Sequence, residues 1–466
     1  MADTAVSTPD AAAPEFSGSR PPRTGASVTS GTIGKKAATV LRREARWLAT
    51  HRSVRTLSQF QARRGLPLAR LMVDPVARAN PYPCHEQIRE YGRLVKTPLM
   101  SVTVDHAVVS GILRDPRFGV AIGDAGGLPS VVSWAFRSPD PNLASVVDAP
   151  SLLAVDPPEH TRYRRLVSKP FTPKALKSVA ERVEARATEL LDGLEGRDVV
   201  DIVEEYASQL PVAVISEILA VPDDMQQQFL AWGNALVPVL DIGLSHREYM
   251  NVLRGERVLN DWFDGHFDRL RREPGEDILS QLVNADPADR LNDVELRATA
   301  ILLLGAGFET TVNLLGSGVA VLVGDEKSRA RLASDPALWP QAVEELLRYE
   351  SPVQLTGRVC REDAEVDGVE ISRGTAIICL LGGANRDPGV FADPATYDLD
   401  RPNSKEHVAF SGGVHYCLGS NLARMEGEIG LRLLFERFPD VRVLGGVRRD
   451  LQTLRGYESL VVALHG

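Results

Sequence analysis

Apolar positions along this chain recur mostly three and four residues apart, and the polar breaks between them mark where helices start and stop. The pattern settles from Asn80 onward: a helix around His85 to Tyr91, strand-like alternation over Leu99–Val104, then Asp105 placed to cap a helix running to Asp115. Further helices are expected over Ala175–Leu194, Ile202–Leu219, Asp224–Val239 and Arg247–Arg272, with a break at Asp241–Ser245 between the last two. Asn292 with Glu295 three residues on makes a capping box. The helix it opens contains Ala298–Val323, 26 residues in which Glu309 is the sole charge. That stretch is long enough to span a bilayer. Its Thr310, Thr311, Asn313 and glycines are costly in lipid, however, and a helix apolar all round also suits the centre of a large helical domain. Asp367-Gly368 reads as a hairpin turn, with strands at Ile371–Leu380 and Gly456–Leu464. The fold class expected is mainly α with a small antiparallel β portion.

Charge divides the chain. Residues 1–64 hold 11 Lys/Arg against 4 Asp/Glu, although the 466 residues together carry a net charge of −9. An acidic body argues against nucleic-acid binding. Residues 1–34, rich in Ala, Ser, Thr, Pro and Gly and without the apolar run of a secretion signal, are expected to be a disordered tail. Residues 35–70 form a basic amphipathic extension: Arg42, Arg43, Arg46, Arg52, Arg55, Arg63 and Arg64 alternate with Val40, Leu41, Trp47, Leu48, Val54, Leu57 and Phe60, with a break near His51. Such a helix either packs on the body or lies through residues 35–64 on an anionic membrane. The Gly/Pro/Ser-rich stretch 118–150, carrying Trp134 and Phe136, is long enough to be expected to cover a pocket. Cys84, Cys360, Cys379 and Cys417 lie far apart, so neither a disulfide framework nor a zinc site is indicated and a reducing cytoplasm is expected.

The strongest chemical signal is Phe410 to Arg424, FSGGVHYCLGSNLAR. A single cysteine framed by glycines precedes a helix in which Leu422, Met425, Ile429 and Leu433 recur at helical spacing. Its sulfur would face the free N–H groups and positive dipole end of that helix, which favour a thiolate, and a thiolate ligates iron. The spacing of Phe410, Gly413, His415, Cys417 and Gly419 resembles the haem-binding signature of the cytochrome P450 family. By that resemblance Cys417 is the axial ligand of haem b and His415 reaches a propionate. Val414 stands where the family often carries a basic residue.

Three more motifs follow in the family's order. His160 and Arg164, one helical turn apart in DPPEHTRYRRL, read on their own as a surface patch; beside Cys417 they resemble the family's propionate-binding pair. AGFETT, Ala306 to Thr311, resembles its oxygen-activation motif, with Thr310 bonding back to the helix and Glu309 relaying protons. Gly305 and Gly307 would make room for a flat macrocycle. Glu345 and Arg348 resemble the buried E-x-x-R pair that a downstream Arg, best matched by Arg401, completes in a structural role. Arg358 matches a further propionate ligand, and Leu303, Ala306, Val353 and Leu355 suggest an apolar pocket, with Tyr457 or its neighbours nearby. The resemblance implies a P450 fold over residues 71–466 as one haem domain.

The activity it implies is monooxygenation, one atom of dioxygen entering a hydrophobic small molecule. No phosphate-cradling Gly-rich loop is present, so electrons are expected from a separate ferredoxin and its NAD(P)H-dependent reductase, docking near Arg162, Arg165, Lys169 or Arg424. Two other classes share Cys417: a peroxide-dependent or oxygen-independent haem-thiolate enzyme, and a non-enzymatic haem sensor.

Overall fold

The computed structural model describes residues 30–97, 100–121, 140, 142–286 and 290–465. Most of the tail expectation and the Trp134/Phe136 stretch therefore lie outside the described residues. A helix does begin at Ser30, inside the segment expected to be unstructured, and runs to Trp47.

Helix Asp293–Val323 is the central element. Asn292 caps it by accepting from Glu295 N at 3.0 Å, while Glu295 accepts from Asn292 N at 2.8 Å, so both orphan donors are satisfied. Of its most apolar window, 72% is buried inside the fold, which accounts for membrane-like composition without a membrane. Around it pack helices Gln209–Ile218, Gln226–Leu236, His246–Arg272, Trp339–Tyr349 and Ser420–Arg437. Helix Pro173–Asp192 packs on Ser420–Arg437 from outside.

Two small sheets flank the helices. In one the strands run Val95–Lys96, Met100–Thr103, Ala376–Cys379, Thr356–Cys360, Phe118–Gly119. Met100–Thr103 pairs parallel with Ala376–Cys379, so this sheet is mixed where an antiparallel one was expected. The other orders Val199–Asp201, Tyr457–Ala463 and Arg442–Arg448, all antiparallel. Tyr457 sits there under the Arg448 guanidinium, 3.8 Å from ring centroid to Cζ. Asp367 and Gly368, at φ 51° and 74°, turn the separate hairpin Ala364–Val366/Val369–Ile371.

Where periodicity slips, helices take up a π-helical turn and continue. The expected break near His51 is a π-helical turn, Leu48–Arg52, and the helix expected over Ile202–Leu219 divides into a π-turn Val203–Ala207 and helix Gln209–Ile218.

Candidate haem-thiolate site

The loop before Ser420–Arg437 is held in an unusual shape. Ser411 and Gly413 take φ of 61° and 63°, and a Cβ on Gly413 would collide with the Leu113 carbonyl, so only glycine lets the loop seat against helix His106–Arg114. Cys417 N donates to Phe410 O at 2.9 Å, closing the loop on itself. Arg424 lies over the Phe410 ring at 4.5 Å and donates to Glu344 Oε1 at 2.6 Å, while His407 sits 3.0 Å from Glu344 Oε2. Against the cost of burial, His407 and Arg424 hold the Glu344 carboxyl down at about 2. The Cys417 thiol departs from expectation. Burial pushes it up and outweighs the Gly419 N–H, Arg164 and Arg424, which pull the other way. The helix N-terminus alone does not make this sulfur a thiolate; a bound cation would.

His160, Arg164, Arg358 and His415 all reach this loop. The His160 and His415 rings are 4.3 Å apart, and Nε2 of each is buried without a hydrogen-bond partner. His415 Nε2 lies 3.5 Å from Asp156 Oδ1 but off hydrogen-bond geometry. Asp156 is committed elsewhere, accepting from the N–H groups of Val120 and Ala121 at 3.1 Å. Burial lowers His160 to about 4, helped by His415 and Arg164. Arg164 donates to Tyr416 O at 2.6 Å. Arg358, 3% exposed, donates to Thr356 Oγ1 and Gly357 O at 3.0 and 2.8 Å and reaches Ser411 Oγ at 3.4 Å. It has no carboxylate within ion-pair distance among the described residues, and burial lowers its pKa. A buried guanidinium with no anion beside two unpartnered imidazole nitrogens is an expensive arrangement. The two carboxylates of a haem would compensate it.

On the central helix one strip stays accessible. Leu302 and Thr310 are half-buried and Ala306 is exposed, four residues apart, in a helix otherwise largely buried. A Cβ on Gly305 or Gly419 meets no heavy atom within 4 Å, so both border open space. Gly307 does not: a Cβ there would sit 2.9 Å from Ile215 Cδ1, so it serves helix packing instead. Thr310 Oγ1 donates to Ala306 O at 3.1 Å. Glu309 points elsewhere, 1% exposed, with Oε1 3.0 Å from Arg449 Nε and Asn313 beside it. Burial raises its pKa despite both neighbours. Val353 and Leu355 are half-buried, whereas Leu303 is 8% exposed and belongs to the core. Leu302, at i−4 from Ala306, is the residue that the sequence reading passed over; the helical period alone points to it.

Glu345 and Arg348 are fully buried and paired bidentately at 2.7 Å, with Arg401 Nε 3.0 Å from Glu345 Oε1. Two of the expected docking cations are already engaged: Arg162 with Glu295 and Arg424 with Glu344.

The cytochrome P450 family profile matches residues 135–445. "Putative cytochrome P450 140" of Mycobacterium tuberculosis is 46% identical over 424 residues, covering 90% of this chain and 97% of its own. The solved structure of the Bacillus subtilis bacillaene polyketide synthase cytochrome P450 PksS superposes with a TM-score of 0.76 at 32% identity, over 85% of this chain and 100% of that one. CYP109E1 of Bacillus megaterium, solved with testosterone, gives 0.75 at 30% identity over 84% and 100%. The loop around Cys417, the buried Arg358 guanidinium beside it and these likenesses agree: the chain belongs to the cytochrome P450 family.

Proposed function

We propose that this P450 inserts one oxygen atom of dioxygen into an apolar small molecule in the cytoplasm, drawing electrons from a ferredoxin and its NAD(P)H-dependent reductase. The family's cofactor is haem b, which when bound supplies dioxygen activation and the oxidising chemistry. The chain's residues bind, orient and protonate. Cys417 Sγ would hold the iron, and His160, Arg164, Arg358 and His415 would hold the propionates. The observation that carries the reading is the strip Leu302, Ala306, Thr310 on a core helix, left accessible beside the open space at Gly305.

Thr310 keeps its hydroxyl proton on the Ala306 carbonyl, which leaves Oγ1 free to accept from a water and pass a proton on by rotating. Glu309 is the acid behind it. Burial raises its pKa, which favours the protonated acid, and swinging away from Arg449 would bring the carboxyl to the strip. Val353, Leu355 and Leu302 give the pocket an apolar lining. The PksS and testosterone-bound relatives support bulky apolar scaffolds as the class to try first.

The test is turnover with ferredoxin and reductase under isotopically labelled dioxygen, on ligands first selected by their Soret shift. Label in the product supports monooxygenation; product formed only with peroxide, or none with any partner, sinks it.

A further inference from the structure

The basic extension is bound to the turn between helices Gln226–Leu236 and His246–Arg272, which both pack on the central helix and would form the roof of the proposed pocket, and the contacts are specific. Trp47 Nε1 donates to Leu244 O at 3.2 Å, and Leu244 N donates to His51 Nδ1 at 3.2 Å, so both backbone groups of one buried turn residue are taken by the extension. Glu44 lies 3.0 Å from His246 Nε2, and the Trp47 ring meets the His246 ring edge-on at 4.9 Å. Arg46 pairs bidentately with Asp148 at 2.7 and 2.8 Å, on a segment that Asn260 of helix His246–Arg272 also holds through Ala144 N and O, each at 2.9 Å.

The turn so held, Asp241–Ser245, joins the two roof helices and continues to the pocket by two routes. Asp241 accepts from Gln452 N and Thr453 N at 2.8 and 2.9 Å. Thr453 O in turn accepts from Gln354 N at 2.8 Å, and Leu454 bridges Val353. Turn, C-terminal loop and the Val353–Leu355 wall are therefore one hydrogen-bonded unit. On the other side, helix Gln226–Leu236 lies so close to the central helix that a Cβ on Gly233 would collide with the Phe308 ring, two residues before Thr310.

We propose that Trp47 and His51 are positioning residues: the N-terminal extension clamps the Asp241–Ser245 turn and thereby sets the position of the pocket wall and roof against a bound substrate. Arg46 adds a second attachment. The solved relatives are matched over nearly their full length yet cover 84–85% of this chain, so part of it has no counterpart in them. The clamp is a device for substrate affinity, not for chemistry. It rests on Val353 and Leu355 being pocket wall.

The test uses the full-length, haem-loaded protein. Trp47→Phe keeps the ring and removes the donor; His51→Leu removes the acceptor; His51→Asn restores an acceptor near the Nδ1 position and serves as rescue; Arg63→Ala, on the exposed outer face, is the control. Amide hydrogen exchange over residues 237–250 is read first. The clamp predicts at least tenfold faster exchange there in Trp47→Phe/His51→Leu, near-native exchange in His51→Asn and Arg63→Ala, and an unchanged carbon monoxide spectrum. Exchange that stays native in 237–250, or that rises equally throughout the chain, overturns it. The Kd of a Soret-shifting ligand is read second: about a tenfold rise at unchanged kcat is expected. Local exchange that rises while affinity stays native would keep the clamp but remove Val353 and Leu355 from the pocket wall.

Discussion

Thr310 and Glu309 are neighbours in sequence, yet the helix sends them in different directions, the hydroxyl to the accessible strip and the carboxyl to Arg449. Reading AGFETT as a motif assigns both to one task; only the geometry separates a residue already in place from one that must move. Thr310→Ala is expected to lower product formed per dioxygen consumed, by up to about 10²-fold if proton delivery fails fully, at unchanged haem content. Equal coupling in the variant would remove Thr310 from the relay. Arg358 makes a sharper case, because its guanidinium is buried with no carboxylate within ion-pair distance among the described residues. Arg358→Leu should weaken haem retention by about 2 kcal/mol, the scale of a hydrogen bond to a charged group, while the haem-free protein becomes more stable, not less. Haem transfer to a scavenger and thermal melts of the haem-free protein read the two signs separately. The cations were legible as residue types near a haem motif; that Asp156 would be spent on Val120 and Ala121 was not, because backbone partners of a carboxylate leave no trace in sequence.

At the scale of elements, caps and periods were the readable part. Asn292 and Glu295 announce the central helix by spacing, and Asp105 caps its helix by accepting from Val108 N at 2.9 Å. The π-turn at Val203–Ala207 was not readable, since one extra residue in a turn shifts the apolar face without changing composition. Glycines in the central helix look alike in sequence and differ in space. Gly305 borders open room, whereas Gly307 and the facing Gly233 are packing glycines. Gly305→Ala should therefore stabilise the haem-free fold by up to about 1 kcal/mol through helix propensity while weakening haem or ligand binding. Gly233→Ala should cost about 1–3 kcal/mol by overpacking against Phe308. Melting temperatures of the two variants moving in the same direction would contradict this assignment.

Across the whole molecule, buried charge clusters tie distant segments together. Glu345 joins Arg348 to Arg401, and Glu350 lies within 3.3 Å of nitrogens from Arg386, Arg448 and Arg455. The first cluster was anticipated from E-x-x-R; the second was not, because its members come from three separate stretches of chain. The buried carboxylate of Glu256 is compensated less fully. Burial raises Glu256 to about 7, with Ser145, Arg46 and Arg257 pulling down and Asp148 pushing up. The folded chain then keeps this proton at pH values where the unfolded chain has released it, so stability falls as pH rises from the ordinary glutamate range through about 7. Glu256→Gln should remove the Glu256 share of that dependence, leaving the share of Glu426, which burial raises to about 8, and gain up to about 3 kcal/mol above neutrality, seen as melting curves that diverge from wild type on raising pH. Curves that stay parallel would place the charge in solvent.

All of these roles presuppose one bond, from Cys417 sulfur to haem iron. The difference spectrum of the reduced, carbon-monoxide-treated protein reads it directly. The wild-type chain should show the red-shifted Soret band of thiolate ligation, and Cys417→His should lose it while still binding haem. A wild-type band at the position of imidazole-ligated haem, or a red-shifted band that survives the substitution, would contradict the account.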